Sequence, residues 1–341
     1  MIPTVRDIAK AAGVSLATVD RVLNNRPGVR KVTYDKVQQA IKEIGYVRDI
    51  SAANLARRKV YRFAFLLPDS QGPFISNIHN SLNTVEATLI TDRTRILVHS
   101  IPINDPHATA RIMDRFEPEN IDGVAVMAQE TPQVRDAMVR LRDREIAVVG
   151  FVSGQPHVAQ DHFVGIDNVA AGRTAASLMG RFLCRDDAKI LTISHSMLAR
   201  DSLERRLGFD AVMREQFPGI EVLPTLETHE DPARVTKVIA QSTQVYSNIS
   251  GVYMLVSASP ALLESLREAR LFSSTVTIAH ELTLHATESL IKGEIDAVIT
   301  QNVGHLVRSA LRVLRSKCDG LKFDPSQEKI RIEIVTRENL H

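Results

Sequence analysis

The chain has 341 residues, a net charge of only +2, 44% hydrophobic residues and no tryptophan, which exceeds one small domain and admits two or three folding units around a large core. Its two cysteines, Cys184 and Cys318, supply neither a metal-ligand spacing nor a disulfide framework, so a reducing, cytoplasmic setting is expected. No run approaches the roughly 18 apolar residues of a membrane helix, and Arg6, Asp7 and Lys10 interrupt any signal peptide, so neither a membrane nor an export role is expected.

The charge is unevenly placed. Residues 1–62 hold 13 Lys and Arg against 5 Asp and Glu, a net +8, and the remainder holds 29 against 35, a net −6. A basic head on an acidic body implies that the head alone meets phosphate. Within it, Asp7 to Asn24 reads as two short helices joined at Gly13. Ile8, Ala9 and Ala12 share one face, Val14 fills the corner, and Val19, Val22 and Leu23 supply the opposing face. Ser15 is placed to cap the second helix, because its hydroxyl accepts a backbone N–H that the first turn leaves unpaired. Pro27 and Gly28 punctuate a loop, and Thr33 is expected to open a third helix whose apolar positions are Val37, Ala40, Ile41 and Ile44, ended by Gly45.

The strings Thr4-Val5-Arg6-Asp7-Ile8-Ala9, Gly13-Val14-Ser15, Thr18-Val19, Arg21-Val22-Leu23-Asn24, Gly45-Tyr46 and Leu55-Ala56 together resemble the head of the lactose repressor (LacI/GalR) family. The resemblance implies a helix-turn-helix whose second helix lies in the major groove, with Leu16 and Ala17 choosing the operator. Arg21 matches the family's base-contacting arginine, where a guanidinium grips guanine O6 and N7 as a fork; contact to phosphate alone is the other reading. Thr4, Ser15, Thr18 and Asn24 are carried over as further DNA contacts. Leu16 and Ala17 offer no hydrogen bond and would act through apolar contact, for instance with a thymine methyl. Asp20 departs from the family's usual serine, and a carboxylate there must pair with an arginine such as Arg21 or accept from cytosine.

Ser51 to Lys59 is alanine-rich and ends in Arg57-Arg58-Lys59; alone it is too short to stay helical. The resemblance implies a hinge that folds on the operator, with Leu55 wedged between base pairs of the minor groove and Ala52 and Ala53 permitting close approach of two copies. A solvated basic linker is the alternative.

From Tyr61 onward, short apolar runs alternate with amphipathic stretches: Phe63 to Leu67, Ile96 to Val98, Gly123 to Met127, Ile146 to Gly150, Ile190 to Ile193, Gly251 to Val256, Val276 to Ala279 and Ala297 to Ile299. Such strands are buried on both faces, which argues for doubly wound parallel sheets in two lobes. No glycine-rich phosphate loop follows any of them. The expected division is a helix-turn-helix domain over 1–48, a hinge over 49–60 and a two-lobed α/β body over 61–341, with a last strand over Lys329 to Val335.

The body resembles the periplasmic-binding-protein-like sensor of the same family, which implies a ligand between the lobes. The matching positions are Asp69 and Phe74 after the first strand, Phe163 ahead of Gly165-Ile166-Asp167-Asn168, Arg205 ahead of Gly208-Phe209, Glu281 after Val276 to His280, and Gln301 after Ala297 to Thr300. Carboxylates accepting from vicinal hydroxyls, a donating guanidinium and aromatic faces suit a sugar or polyol. Ser257-Ala258-Ser259-Pro260 stands where relatives carry sugar-holding Asn and Asp, so the ligand is smaller or differently bound than a hexoside.

An enzyme is not expected, nor a cofactor. In His280-Glu281-Leu282-Thr283-Leu284-His285 the histidines are five apart and do not share a helix face as zinc ligands would. Ser153 of Gly150-Phe151-Val152-Ser153-Gly154 sits one place late for a nucleophile elbow. The reading is a homodimeric regulator on a pseudo-palindromic duplex operator, its affinity set by a small polar effector; with no leucine heptad after the last strand, a tetramer-forming helix is not expected. A solute receptor without a DNA role is the alternative that the body alone permits.

Overall fold

The computed structural model describes residues 3–24, 26–46, 59–89, 93–155, 158–183 and 187–340. The hinge proper, with Ala52, Ala53 and Leu55, and Cys184 lie outside the described residues. The chain divides into two compact units, Met1–Lys59 and Val60–His341.

In the first unit, α1 (Val5–Ala12), α2 (Leu16–Leu23) and α3 (Lys31–Ile44) pack around Ile8, Ala9, Val19, Val22, Val37 and Ala40. α1 opens with a capping box: the backbone N–H of Thr4 donates to Asp7 Oδ2 at 2.8 Å and its hydroxyl at 2.7 Å. These bonds lower the pKa of the Asp7 carboxyl. Gly13 and Gly45 close α1 and α3 in the left-handed conformation, φ 63° and 65°. The third helix starts at Lys31, two positions ahead of Thr33, because extended Arg30 already serves as its N-cap through its backbone carbonyl. Side-chain capping is not required there, and the sequence signal at Thr33 misled for that reason.

The second unit contains two sheets. Sheet one has five strands in the order β2-β1-β3-β4-β5, all parallel: β1 (Tyr61–Pro68), β2 (Thr94–Ile101), β3 (Gly123–Val126), β4 (Ala147–Phe151) and β5 (His162–Val164). It is accompanied by α4 (Pro73–Leu89), α5 (Pro106–Met113) and α6 (Pro132–Asp143). The chain then crosses into lobe two through α7 (Asn168–Leu183), β6 (Lys189–Ser194), α8 (Arg200–Gln216), β7 (Glu221–Val222), β8 (Leu226–Glu227), α9 (Pro232–Val245), β9 (Ile249–Ser257), α10 (Pro260–Glu268), β10 (Val276–His280), α11 (Leu284–Lys292) and β11 (Ala297–Thr300). It returns with α12 (Val303–Cys318), which packs on α4, β3 and β4, and crosses back for β12 (Glu333–Val335). The second sheet runs β12-β11-β10-β9-β6-β7, with β8 also on β6.

The expected two-lobed body with doubly wound sheets is thus present, with one correction. β12 pairs antiparallel to β11, Val298 facing Val335, and covers only the last part of the Lys329 to Val335 run. An antiparallel edge strand is an ordinary way to finish a parallel sheet, and it needs no crossover helix. In both sheets the strand order reverses next to the first strand of the lobe, between β1 and β3 and between β6 and β9. A doubly wound sheet opens a crevice at the carboxyl ends of its strands at such a point.

α7 and α8 cross at the closest helix contact of lobe two. A β-carbon on Gly172 would lie 1.9 Å from the carbonyl oxygen of Arg205, and one on Gly208 2.1 Å from that of Val169. Only glycine on both sides permits this approach. Gly172→Ala is therefore expected to destabilise the body by about 1–3 kcal/mol or more, as overpacking does; unchanged denaturant midpoint and slope would contradict the crossing.

Candidate DNA-reading helix and ligand cleft

Ser15 caps α2 by accepting from the backbone N–H of Thr18 at 3.2 Å, and its hydroxyl also pairs with that of Thr18 at 2.9 Å. The hydroxyl of Thr4 is held by Asp7. The amide of Asn24 donates to Asp20 Oδ1 at 2.7 Å, and Arg26 meets Asp20 Oδ2 at 3.2 Å. The partner of Asp20 is thus Arg26, which folds back from the loop, and not Arg21. An i,i+4 amide and a guanidinium six residues on reach the carboxylate, whereas the next residue on a helix points elsewhere. What remains outward is Leu16, 48% exposed, with Ala17 and Arg21. The Arg21 guanidinium has no hydrogen bond or ion pair with a described residue.

In the body, a cleft offering about 200 Å³ to the centres of water molecules lies between the lobes, at the carboxyl ends of both sheets. Lobe one contributes residues following β1, β2, β3 and β4, and lobe two those following β6, β9 and β10. Its centre is Arg205, on the second turn of α8 and 3% exposed. Nε donates to Asn168 Oδ1 at 2.9 Å, Nη1 to the carbonyl of Leu255 at 2.8 Å and Nη2 to Glu281 Oε1 at 3.1 Å. Gln301 Nε2 donates to the same Oε1 at 3.1 Å. Burial pushes the Glu281 pKa up, and Arg205 and the Gln301 amide pull against that rise. Glu281 Oε2 has no partner among the described residues.

Arg205, Glu281 and Phe74 all line the cleft. Arg205, expected to fork sugar hydroxyls, instead directs three nitrogens at protein acceptors and so holds Glu281 and the end of β9 in place. Gln301 lines a neighbouring pocket that shares Glu281 and Phe74 with the cleft. Asp69 and Phe163 do not line the cleft. Asp69 is exposed, its backbone N–H tied to the carbonyl of Ile101 at 2.8 Å. The Phe163 ring lies over Gly165, where a β-carbon would come within 2.5 Å of its Cζ. Asp69 follows β1 as expected and Phe163 lies in the middle of β5, and neither side chain reaches the crevice.

The sequence reading missed His195, Asp201, Glu230 and the role of Asn168, whereas Ser257, named there as a departure, does line the cleft. Asn168 was inside a quoted string, yet its role depends on a residue 37 positions away. Across the cleft, Ser70 donates to Glu230 Oε2 at 3.0 Å, and Arg200 pairs with Glu130. His195 lies 3.9 Å from Glu230 and bonds Thr228 through Nδ1 at 3.2 Å; burial lowers its pKa against the pull of Glu230 and Asp201. Val152, Glu230 and Glu281, all on the cleft wall, have φ of 61°, 58° and 64°. Left-handed backbone in non-glycine residues, a β-branched valine above all, marks places where structure is held against local preference. His280 is not a metal-ligand candidate, since its Nε2 bonds the buried Tyr253 hydroxyl at 2.8 Å. No metal-binding group of acids, histidines and cysteines occurs among the described residues.

A two-lobed α/β fold with its crevice at the switch points defines a ligand-binding protein of the periplasmic-binding type. Residues 63–322 match the periplasmic binding protein domain, and residues 4–49 match the bacterial regulatory proteins of the lacI family. The chain belongs to the periplasmic binding protein domain family over its body, and its head is of the lacI type. It is 30% identical over 227 residues to the HTH-type transcriptional regulator RegA of Clostridium saccharobutylicum, covering 66% of this chain and 65% of that one. With catabolite control protein A of Staphylococcus epidermidis it shares 25% over 209 residues, 60% of this chain and 59% of the other. The chain therefore spans somewhat under two thirds of the length of these relatives. Among solved structures, an ABC transporter solute binding protein from Burkholderia graminis in complex with D-arabinose superposes with TM-score 0.74 at 22% identity, covering 82% of this chain and 96% of that one. A putative LacI transcriptional regulator from Bacteroides fragilis superposes at 0.67 and 19%, covering 82% and 98%.

Arg205→Ala leaves the Glu281 carboxylate buried beside no cation, which costs roughly 3–5 kcal/mol when one partner of a buried pair is removed. Chemical denaturation is expected to register a loss of that size; a loss below 1 kcal/mol would remove Arg205 from its central place.

Proposed function

We propose that the chain is a sequence-specific DNA-binding transcription regulator of the repressor type. A small, hydroxyl-rich ligand, a sugar or polyol, bound in the cleft sets its operator affinity. The observation that carries this reading is one chain joining a lacI-type helix-turn-helix to a two-lobed binding domain. α2 presents Leu16, Ala17 and an unengaged Arg21 on a unit with excess positive charge. Arg21 supplies the fork for guanine, and Leu16 and Ala17 supply apolar contact to a thymine methyl. Ser15 and Asn24 cap the reading helix, Thr18 lies in its first turn and Thr4 caps α1 beside it; these four would supply the contacts to phosphate that set its register.

Two heads on a homodimer would read half-sites related by the dimer's own two-fold axis, so the operator is pseudo-palindromic. Leu55, in the hinge, would wedge the minor groove, and the domain division at 1–48, 49–60 and 61–341 follows from that role. The setting is the cytoplasm and the action is binding without catalysis; no helix among the described residues is long and apolar enough to cross a membrane. A ligand that prefers one lobe arrangement shifts operator affinity by the ratio of its affinities for the two, whichever the sign. In the cleft, Glu281 Oε2 and Asp201 accept from hydroxyls and Phe74 covers an apolar ring edge. Gln301 acts by holding Glu281.

Gel-shift titration against the DNA upstream of the chain's own gene tests the reading. Arg21→Ala is expected to weaken specific binding by about 1–3 kcal/mol and leave nonspecific binding nearly intact. Equal losses on both DNAs would reduce Arg21 to a phosphate contact, and no specific shift with intact heads would discard the regulator.

A further inference from the structure

The two walls of the cleft differ in kind. Every ionisable group on it, His195, Asp201, Arg205, Glu230 and Glu281, comes from lobe two. Lobe one presents a largely aliphatic surface, with Ile75, Ile101, Ile103, Met127, Val134 and Val152 at its heart, and no charged side chain. Its polar members are few and neutral, and Ser70 is already engaged with Glu230 and with the N–H of Gly72 at 3.0 Å. A ligand made of hydroxyls on every side would leave several of them against hydrocarbon without partners, which burial penalises.

The charge on the other wall is one-sided. Three carboxylates face one guanidinium, and three of that guanidinium's nitrogens donate to protein acceptors. Burial lowers the pKa of His195 against the pull of Glu230 and Asp201. The unsatisfied carboxylate oxygens add acceptors: the buried Glu281 Oε2 and Asp201 have no partner among the described residues. Helix N-termini are the usual alternative anion sites, and of the four at this cleft α5 and α6 are closed by the side chains of Asp105 and Thr131. α4 begins with Pro73, which has no N–H. α5 begins with Pro106 and is capped by Asp105, which accepts from Ala108 N at 2.8 Å. The first turn of α8 carries Asp201. An anion would meet three carboxylates on this wall, one of them in the first turn of α8.

Resting on the reading of the cleft as the effector site, we propose that the effector is amphipathic. An aliphatic or deoxygenated part lies on the lobe-one wall, and an uncharged or cationic hydrogen-bond-donating head lies on Asp201 and Glu281. Phosphorylated and carboxylated ligands are disfavoured by the three carboxylates of this wall. This narrows the small polar effector to a class with a hydrocarbon side, such as an alkyl glycoside, a deoxy sugar or an amino alcohol.

The test uses the full chain and the neutral fluorescent dye N-phenyl-1-naphthylamine as reporter of the apolar wall, displaced by hexylamine, 1,2-hexanediol, glycerol and hexanoate. Hexanediol adds an alkyl part to the glycerol-type head, and hexylamine and hexanoate share their chain and differ in the sign of charge. Saturable dye binding is expected, with hexylamine and 1,2-hexanediol displacing it at tenfold or more lower concentration than glycerol or hexanoate. Ile103, 38% exposed, tolerates substitution without loss of core, and Ile103→Asp is expected to weaken dye binding at least tenfold at an unchanged melting temperature. Absence of saturable binding, parity of glycerol with hexanediol, parity of hexanoate with hexylamine, or indifference to Ile103→Asp would each overturn the proposal. The same compounds are then added to the gel shift. If the displacement order holds and operator affinity never moves, the ligand class stands and the reading of the cleft as the site that sets operator affinity fails.

Discussion

The body is organised around one buried guanidinium. Arg205 ties the start of α7, the end of β9 and the turn after β10 to α8 through Asn168, Leu255 and Glu281. A buried charge of this kind is tolerated only where each N–H finds an acceptor. It also depends on the paired glycines, because α8 places Arg205 correctly only while Gly172 and Gly208 let α7 and α8 touch backbone to backbone. Nearby, Tyr253 stacks on Phe209 at 4.4 Å and bonds His280, so the polar knot sits on a hydrocarbon floor.

This arrangement recasts what an arginine in a binding cleft does. Had Arg205 been the donor to ligand hydroxyls, the site would hold a free cation. As built, its charge is met by Glu281, whose second oxygen stays buried without a partner among the described residues beside the cleft. The sign of the site therefore follows from the hydrogen bonds behind it and not from the residue types that line it. Strained backbone at Val152, Glu230 and Glu281 fits the same picture, since the surroundings hold these residues in conformations they would not choose.

Much of the fold was legible because its signals are local. Glycine C-caps, the Ser15 cap and apolar runs on β1, β3, β9 and β10 each depend on neighbours within a few residues, and the expected elements stand near their strings. Short edge strands such as β5, β7 and β8 bury few side chains and left no run to read. Site roles were legible only as positions. Arg205 and Glu281 meet in the cleft, but the direction of Asp69 and Phe163 depends on what packs behind them. Asn168, His195 and Glu230 matter through partners far along the chain, which periodicity does not carry. Asp20 illustrates the limit in the head: the need for a partner was readable, and the choice of Arg26 over Arg21 required the loop's path.

The links that join the lobes across the cleft mouth, Ser70 to Glu230 and Arg200 to Glu130, lie among partly exposed side chains. Such links are individually weak and screened by salt, and they are made by the chain itself. Any parting of the two lobes must break them. How readily the lobes part is then set in part by this fastening, and rising ionic strength should ease the Arg200–Glu130 half of it, even though grip on an occupant is decided deeper in.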